Sequence, residues 1–403
     1  MSRVCASALG LGRQPAHALP PRRAAFARHF TGCGRLCRAY QAGDMVLLRE
    51  KRDTRTDGTL ILLQPDTATT NTHRGILTHA DVIGKHPRQT VTSSRGDTFR
   101  IYEPTLAEYV RLTPRLVTPI YPSDANLIVS LLDIHVDTPV HAPRPQDPPL
   151  EILEAGTGHG ALTLHLSRAI HAANPPLTLQ DATLDSWKGT RRAIIHTLDI
   201  SAQHSQFAQK VVARFRRGIY ARNVDYHVGD ISEWIVQERS KRGMDHAFLS
   251  HVFLDLPNAD KHLANVAPAL HPNGTLAVFN PSITQIAECV DTIRAHKMPY
   301  ILDRVVELGA GTIREWDVRQ VKPRATLRKA AAQEASGDTI EHQSDVVDND
   351  QRVREEALSK DSTIEDDKWA MICRPKAGQQ VIGGGFLGLW RRMERPVDNP
   401  LTL

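Results

Sequence analysis

Short apolar runs separated by turn residues open the interpretable part of the chain. Met45-Val46-Leu47-Leu48 and Leu60-Ile61-Leu62-Leu63 flank Asp57-Gly58, a strong hairpin signal, and Gly75, Gly84 and Gly96-Asp97 supply further turns. This spacing predicts a small β-barrel-like domain over residues 41–102. From 105 to 132 the pattern becomes helical, with Pro104-Thr105 as the entry and Tyr109, Leu112 and Leu116 on one face. The proline-rich stretch 139–149 predicts a surface loop. Beyond it, strand-like runs at 152–155, 194–198, 224–228, 246–254 and 275–279 alternate with helical periods. That order predicts an α/β domain with a mostly parallel sheet and crossover helices, placed at residues 103–324. Residues 174–192 read as a loop insertion in its second unit. Residues 325–367 are rich in Ala, Ser, Gln, Asp and Glu and lack apolar periodicity, so disorder is expected there. Apolar patterning resumes at 369–373 and 385–390, and residues 368–403 read as the last strands returning to the sheet, with a tail.

Charge is unevenly distributed. The net +5 of the 403 residues hides seven arginines within residues 1–40, with no lysine, Asp or Glu among them. An Arg-rich, acid-free leader with Ala, Leu and Phe is the composition of a mitochondrial transit peptide, and Arg38-Ala39-Tyr40 resembles a processing site before Gln41. A disordered basic tail is the competing reading. Between 330 and 367 there are 12 acidic and three basic residues, so the remaining body is net basic and suits a polyanionic partner. No apolar run approaches the ~20 residues that span a bilayer, so no membrane insertion is expected.

Cys5, Cys33 and Cys37 fall in the leader, leaving only Cys289 and Cys373 beyond it, which excludes a disulfide framework. No second ligand pair follows Cys33 and Cys37 at metal-binding spacing, so no metal is expected.

The most informative string is EAGTGHGALT, Glu154 to Thr163, directly after the apolar Leu150-Glu151-Ile152-Leu153. It reads as strand, glycine turn and helix start. Gly156, Gly158 and Gly160 allow a tight turn and close approach to a nucleotide-type ligand at the end of a first parallel strand. A phosphate loop would need Gly-Lys-Ser/Thr, which His159-Gly160-Ala161 does not supply. A dinucleotide fold keeps similar glycines, whereas the Glu opening the turn points toward S-adenosylmethionine. The second strand ends at Asp199, a carboxylate placed to accept from two ribose hydroxyls. Asp230 follows the third strand, where it suits an adenine amino group with Ile231 packed on the ring; a helix N-cap fits Asp230 equally well. Asp255, in Phe253-Leu254-Asp255-Leu256-Pro257, closes the fourth strand, where a transferred group would meet its acceptor.

Several ordered motifs carry a resemblance. Glu103 to Val110 (EPTLAEYV), Thr118 to Asp124 (TPIYPSD), EAGTGHGALT, Phe253 to Pro257, Asn280 to Gln285 (NPSITQ) and Arg314 to Arg319 (REWDVR) together resemble the tRNA 1-methyladenosine-58 methyltransferase family. The similarity covers roughly 43–319 and resumes near Trp369. It implies a class I S-adenosylmethionine-dependent methyltransferase fold with a small N-terminal β-domain, a tRNA substrate, and a homotetramer or a heterotetramer with a non-catalytic RNA-binding subunit. By motif position it implies that Gly156, Thr157, Gly158, His159 and Gly160 cradle the methionine part of the cofactor. Asp199 would hold the ribose, with His204 nearby, and Asp230 and Ile231 the adenine. Ile120 and Tyr121 would form the wall between cofactor and target base. Asp255 is the implied catalytic residue, with Tyr121 packed near the base and Gln285 positioning it. Glu307 and REWDVR are expected to be architectural. His159 stands where many relatives have Ser, His204 where Arg is common, and Asn258-Ala259-Asp260 replaces the usual Pro and Trp. A non-catalytic RNA-binding subunit and a protein isoaspartate methyltransferase remain alternatives.

Overall fold

The computed structural model describes residues 38–51, 57–65, 67–137, 148–174, 187–243, 246–309, 316–321, 370–375 and 384–394, the segments 316–321 and 370–375 as backbone. The leader up to 37, most of the proline-rich loop, residues 175–186 and the acidic stretch 325–367 lie outside the described residues.

The N-terminal segment folds into β1 (Met45–Glu50), β2 (Thr59–Leu62), β3 (Thr69–Thr72), β4 (Gly75–Thr78), β5 (Thr90–Thr92) and β6 (Thr98–Tyr102). Four of these form an antiparallel sheet in the order β2-β1-β6-β5, while β3 and β4 pair as a separate hairpin. Alternation drives the packing: Phe99 and Ile101 of β6 turn inward with Val46, Leu48, Ile61 and Val91.

The other face of this sheet is also covered. Helix α1 (Leu106–Leu112) starts with a reciprocal cap, in which the Glu108 N–H donates to Thr105 Oγ1 at 3.2 Å and the Thr105 N–H donates to Glu108 Oε2 at 2.8 Å. Its buried Leu106, Tyr109 and Val110 share one apolar cluster with Met45 and Leu60 from the β-sheet and with Leu164, Val211 and Phe215 from the larger domain. Salt bridges reinforce the junction, Arg49 to Glu108 at 2.6 Å and Arg217 to Asp44 at 2.6 Å.

The helical stretch expected over 105–132 divides into two helices, α1 and α2 (Pro122–Leu132). Pro114 and Pro119 fall between them; proline lacks the amide proton a helix interior needs, so residues 113–121 run as a strap.

The larger domain continues with β7 (Leu150–Ala155), α3 (Ala161–Ile170), β8 (Ala193–Asp199), α4 (Ala202–Arg214), β9 (Val224–Val228), α5 (Ile231–Lys241), β10 (Leu249–Leu254), α6 (Leu263–Val266), β11 (Leu270–Asn280), α7 (Ile283–Ala295), β12 (Tyr300–Leu308), β13 (Trp316–Val321), β14 (Ala370–Pro375) and β15 (Gly385–Arg392). Seven strands make the central sheet in the order β12-β15-β11-β10-β7-β8-β9. The pairs joining β9, β8, β7, β10 and β11 are parallel, and β15 runs antiparallel between β11 and β12. Strand order reverses between β7 and β10, and the crevice beyond the carboxyl ends of the strands there is the place where such sheets bind ligands.

One expectation is corrected. Residues 369–373 were expected to return to the central sheet together with 385–390, but only β15 does so. β14 pairs antiparallel with β13, from Trp316 opposite Pro375 to Val321 opposite Ala370, as a separate two-stranded ribbon. An apolar run encodes a strand but not its hydrogen-bonding partner, and the position beside β11 is taken by β15.

Candidate cofactor and acceptor site

A cavity of about 400 Å³ opens at the switch point. Its walls come from the ends of four parallel strands and from the strap. Gly156 and Gly158 form the floor, Asp199 and Ile200 follow β8, Gly229, Asp230 and Ile231 follow β9, and Asp255, Leu256 and Pro257 follow β10. Val117 and Thr118 of the strap, with His204 and His262, complete the lining.

The turn is glycine for steric reasons. At Gly156, with φ +98°, a Cβ would stand 2.1 Å from the carbonyl oxygen of Asp255. Gly160, with φ +81°, brings the start of α3 against α4, where a Cβ would meet that of Ala208 at 3.1 Å. Between them the Gly158 N–H donates to Asp199 Oδ2 at 2.9 Å, and the Ser201 N–H donates to Asp199 Oδ1 at 2.8 Å. The buried Asp199 carboxylate is thereby oriented by backbone donors, with His204 Nδ1 3.4 Å from Oδ1.

Asp230 caps a helix and also lines the cavity. Its Oδ1 accepts from the N–H groups of Ser232 at 2.7 Å and Glu233 at 3.2 Å as the N-cap of α5, and the residue also lines the cavity beside Ile231. Asp255 ends β10 with its N–H donating to the Ala155 carbonyl at 2.8 Å. Burial, reinforced by the negative charge of Asp199, pushes its carboxyl up to about 6.

The structure thus brings Gly156, Gly158, Asp199, His204, Asp230, Ile231 and Asp255 together around one cavity. The remaining sequence candidates lie behind or beside it. Thr157 is buried with its hydroxyl 2.8 Å from that of Thr197. His159 is buried edge-on to Phe207, and burial followed by the charge of Arg115 pushes its imidazole down to about 4, so it is neutral at physiological pH. Ile120 packs onto the core beneath the sheet. Tyr121 is the N-cap residue of α2, with the Arg115 guanidinium over its ring at 5.5 Å. Gln285 occupies the first turn of α7, half-buried.

Several lining residues carried no singled-out signal. Ile200, Gly229, Leu256 and Pro257 are sequence neighbours of the three carboxylates, so the rule that located Asp199, Asp230 and Asp255 also reaches them. Thr118 opens the TPIYPSD motif but carries no signal of its own, and Val117 and His262 had no local signature; His262 Nδ1 lies 2.8 Å from Ser232 Oγ, a pairing across 30 residues. Glu154, which opens the glycine motif, sits beneath the turn. It is fully buried and accepts from Thr163 Oγ1 at 2.6 Å and Thr197 Oγ1 at 2.8 Å. Burial pushes it up to about 7 against the hydrogen bonds that lower it.

These residues fit S-adenosylmethionine. The volume is that of a nucleoside-sized ligand. Three aspartates lining one cavity, one with a raised pKa, favour a ligand carrying positive charge, and this cofactor has a sulfonium and an ammonium. Ile200, 81% exposed at the cavity wall, offers an apolar face for a base. Fold and site together define a class I S-adenosylmethionine-dependent methyltransferase.

Comparison with known proteins sharpens that class. A family model described as the tRNA methyltransferase complex GCD14 subunit matches residues 190–383. The tRNA (adenine(58)-N(1))-methyltransferase TrmI of Thermus thermophilus is 31% identical over 247 residues, which cover 61% of this chain and 78% of that protein. A tRNA (adenine(57)-N(1)/adenine(58)-N(1))-methyltransferase TrmI of Methanocaldococcus jannaschii is 25% identical over 209 residues, 50% of this chain and 66% of its own length. A Thermotoga maritima S-adenosylmethionine-dependent O-methyltransferase superposes with a TM-score of 0.55 at 17% identity, covering 89% of this chain and 96% of that one. TrmI of Aquifex aeolicus, a tRNA (m1A58) methyltransferase, gives 0.50 at 17% identity, covering 89% and 100%. The two superpositions establish the fold. The chain belongs to the tRNA (adenine-58 N1)-methyltransferase family.

Proposed function

We propose that this protein methylates N1 of adenine-58 in the T-loop of tRNA, with S-adenosylmethionine as methyl donor. The observation that carries the reading is the convergence of Asp199, Asp230 and Asp255 on one cavity behind the Gly156 turn. When bound, S-adenosylmethionine supplies an electrophilic methyl group on a positively charged sulfur. The turn from Gly156 to Gly160 holds the methionine part, Asp199 the ribose, and Asp230 with Ile231 the adenine.

The acceptor needs little activation. Adenine N1 carries its own lone pair and no proton, so the new N1–carbon bond forms as the sulfur–carbon bond breaks, and the product base is a cation. Asp255, at the strand end facing this step, accepts from the N6 amino group and offsets the charge that develops on the ring. Tyr121 packs near the base at the mouth and Gln285 helps to position it. Orientation and electrostatics supply the acceleration without a metal or covalent intermediate. The target lies inside folded tRNA, so the base leaves its stack before transfer.

The Arg-rich residues 1–40 support a mitochondrial location as a leader, but Tyr40, expected as its last residue, packs in the β-domain core, so cleavage falls before it. The β-domain reaches from there to 102, followed by the methyltransferase domain at 103–324, an acidic insertion at 325–367 and the returning segment at 368–403. Nucleus or cytoplasm is the alternative location. A homotetramer is the assembly we favour over a heterotetramer with a non-catalytic RNA-binding subunit, on the transit-like leader and the REWDVR segment of this chain. Import of a reporter fused to residues 1–40 decides the first point, and light scattering of the purified protein decides the second.

The decisive experiment is methyl transfer from labelled S-adenosylmethionine to unmodified tRNA by protein beginning at Arg38, which keeps Tyr40 in the β-domain core, with Asp255→Ala in parallel and the modified base mapped. Label at adenine N1 in the T-loop that disappears in the variant is expected. Absence of cofactor binding sinks the reading, and transfer to an isoaspartyl peptide instead of tRNA replaces it with protein repair.

A further inference from the structure

The strap between α1 and α2 carries an arginine that the cofactor chemistry does not use. Arg115 is exposed, two residues before Val117 and three before Thr118, both of which line the cavity. The strap lies directly on the glycine turn: a Cβ on Gly158 would touch Val117 Cγ2 at 3.3 Å. The positive charge of Arg115 also reaches the His159 imidazole in that turn. Arg115 therefore stands at the rim of the cavity, on the strap that borders both cofactor and acceptor space.

Its side chain is pre-set. The guanidinium lies over the Tyr121 ring at 5.5 Å from the centroid, and its Nη1–H donates to Tyr121 Oη at 3.4 Å. Stacking restricts a long, otherwise mobile side chain and leaves several N–H donors directed to solvent. Arg49, Arg111 and Arg216, by contrast, are neutralised by Glu108, Asp57 and Glu103. Among the described residues Arg115 forms no salt bridge. A desolvated carboxylate, Asp255, sits inside the same cavity, so a polyanionic acceptor approaching it needs a cation at the entrance.

We propose that Arg115, held by Tyr121, binds the phosphodiester adjacent to the target adenosine and so holds the extruded nucleotide over Asp255. This rests on the tRNA reading above. A planar guanidinium matches a phosphate with paired N–H donors, which a neutral or point-charge side chain does not. The contact belongs to acceptor binding alone, and the donor site is built from other residues.

The test couples a protein change to a substrate change. Full-length tRNA is assembled by ligation with an uncharged methylphosphonate replacing the single phosphodiester 5′ or 3′ of the target adenosine. Arg115→Ala is expected to lower kcat/KM for natural tRNA about tenfold and to reduce the slope of log affinity against log salt by about one. S-adenosylhomocysteine affinity and melting temperature stay at wild-type values. At one of the two linkages the methylphosphonate costs the wild-type enzyme a similar factor but costs Arg115→Ala nothing further. Arg115→Lys recovers part of the binding. Equal penalties in wild type and Arg115→Ala at both linkages overturn the proposal, as does a fall in kcat with an unchanged salt slope. Failure of the wild-type protein to methylate tRNA at all overturns the functional reading together with it.

Discussion

Gly156 and Asp255 approach so closely that a Cβ placed on Gly156 stands 2.1 Å from the Asp255 carbonyl oxygen. The glycine turn and the end of the strand carrying Asp255 are therefore one rigid unit, tied further by the Asp255 N–H donating to the Ala155 carbonyl. Gly156→Ala must displace β10 or the turn. Loss of S-adenosylhomocysteine binding, with destabilisation of about 2 kcal/mol or more, is the expected outcome in calorimetry and denaturant melts. Gly84→Ala is the control: its φ is +85° but no atom lies within 4 Å of the new Cβ, so cofactor binding stays intact.

Asp255 is kept costly on purpose. Its folded pKa of about 6 lies above its ordinary value, so the folded state holds the proton more tightly than the unfolded chain does. The stability this provides at low pH is lost as pH rises from 4 through 6. Asp255→Asn is accordingly expected to melt a few degrees higher than wild type at pH 7.5, to match it at pH 4, and to lose methyl transfer. A melting temperature at pH 7.5 below wild type would contradict this.

The same ionisation sets the acid limb of activity. In the proposed mechanism Asp255 acts as an acceptor, so the rate is expected to fall as pH drops through its pKa. The positive sulfonium favours the carboxylate form, so the limb moves below 6 at saturating S-adenosylmethionine. Proton uptake or release measured calorimetrically near pH 6 should differ between S-adenosylmethionine and the uncharged-sulfur product; identical values would remove the electrostatic role.

Glu154 is a structural carboxyl. One oxygen, Oε2, accepts from both Thr163 and Thr197, and a glutamine amide oxygen can do the same. Burial pushes Glu154 up to about 7, so its contribution to stability is lost as pH rises through 7. Glu154→Gln should fold normally and gain stability relative to wild type above pH 7. Glu154→Ala leaves two buried hydroxyls without their acceptor and should cost about 2 kcal/mol in urea denaturation.

On the opposite side of the sheet, Arg242 donates to both oxygens of Glu151 at 2.7 and 2.8 Å, and His196 Nε2 lies 2.8 Å from Oε2. Burial opposes ionisation of Glu151, but hydrogen bonds from His196 and Arg242 outweigh it and hold the carboxyl below its usual range. Its contribution is therefore present at neutral pH and lost as pH falls through its lowered pKa, below the ordinary glutamate range. Arg242→Ala is expected to cost on the order of 2 kcal/mol at pH 7, and less once acid protonates Glu151, without changing the KM for S-adenosylmethionine.

Much of this was legible in one dimension, for identifiable reasons. The alternation of strand-like and helical runs from Leu150 onward is a local pattern, and β7 to β11 form from it. Glycines with positive φ at 156, 158 and 160 are tied to backbone geometry that few other residues tolerate. Carboxylates placed just after strands β8, β9 and β10 inherit a common position because parallel strands end on one edge. Pro114 and Pro119, by contrast, split a helical pattern that the apolar spacing alone made continuous.

By itself the amino-acid sequence determined the α/β class, the glycine turn and the three aspartates, because each rests on local backbone preference or on position along a strand. Only the tertiary structure decided that β14 leaves the central sheet for β13, that Val117, Thr118 and His262 join the cavity wall, and that Arg115 rests on Tyr121 at its rim. Those outcomes depend on which distant segments pack together, and neither strand pairing nor side-chain stacking across a fold is written in the periodicity of a single segment.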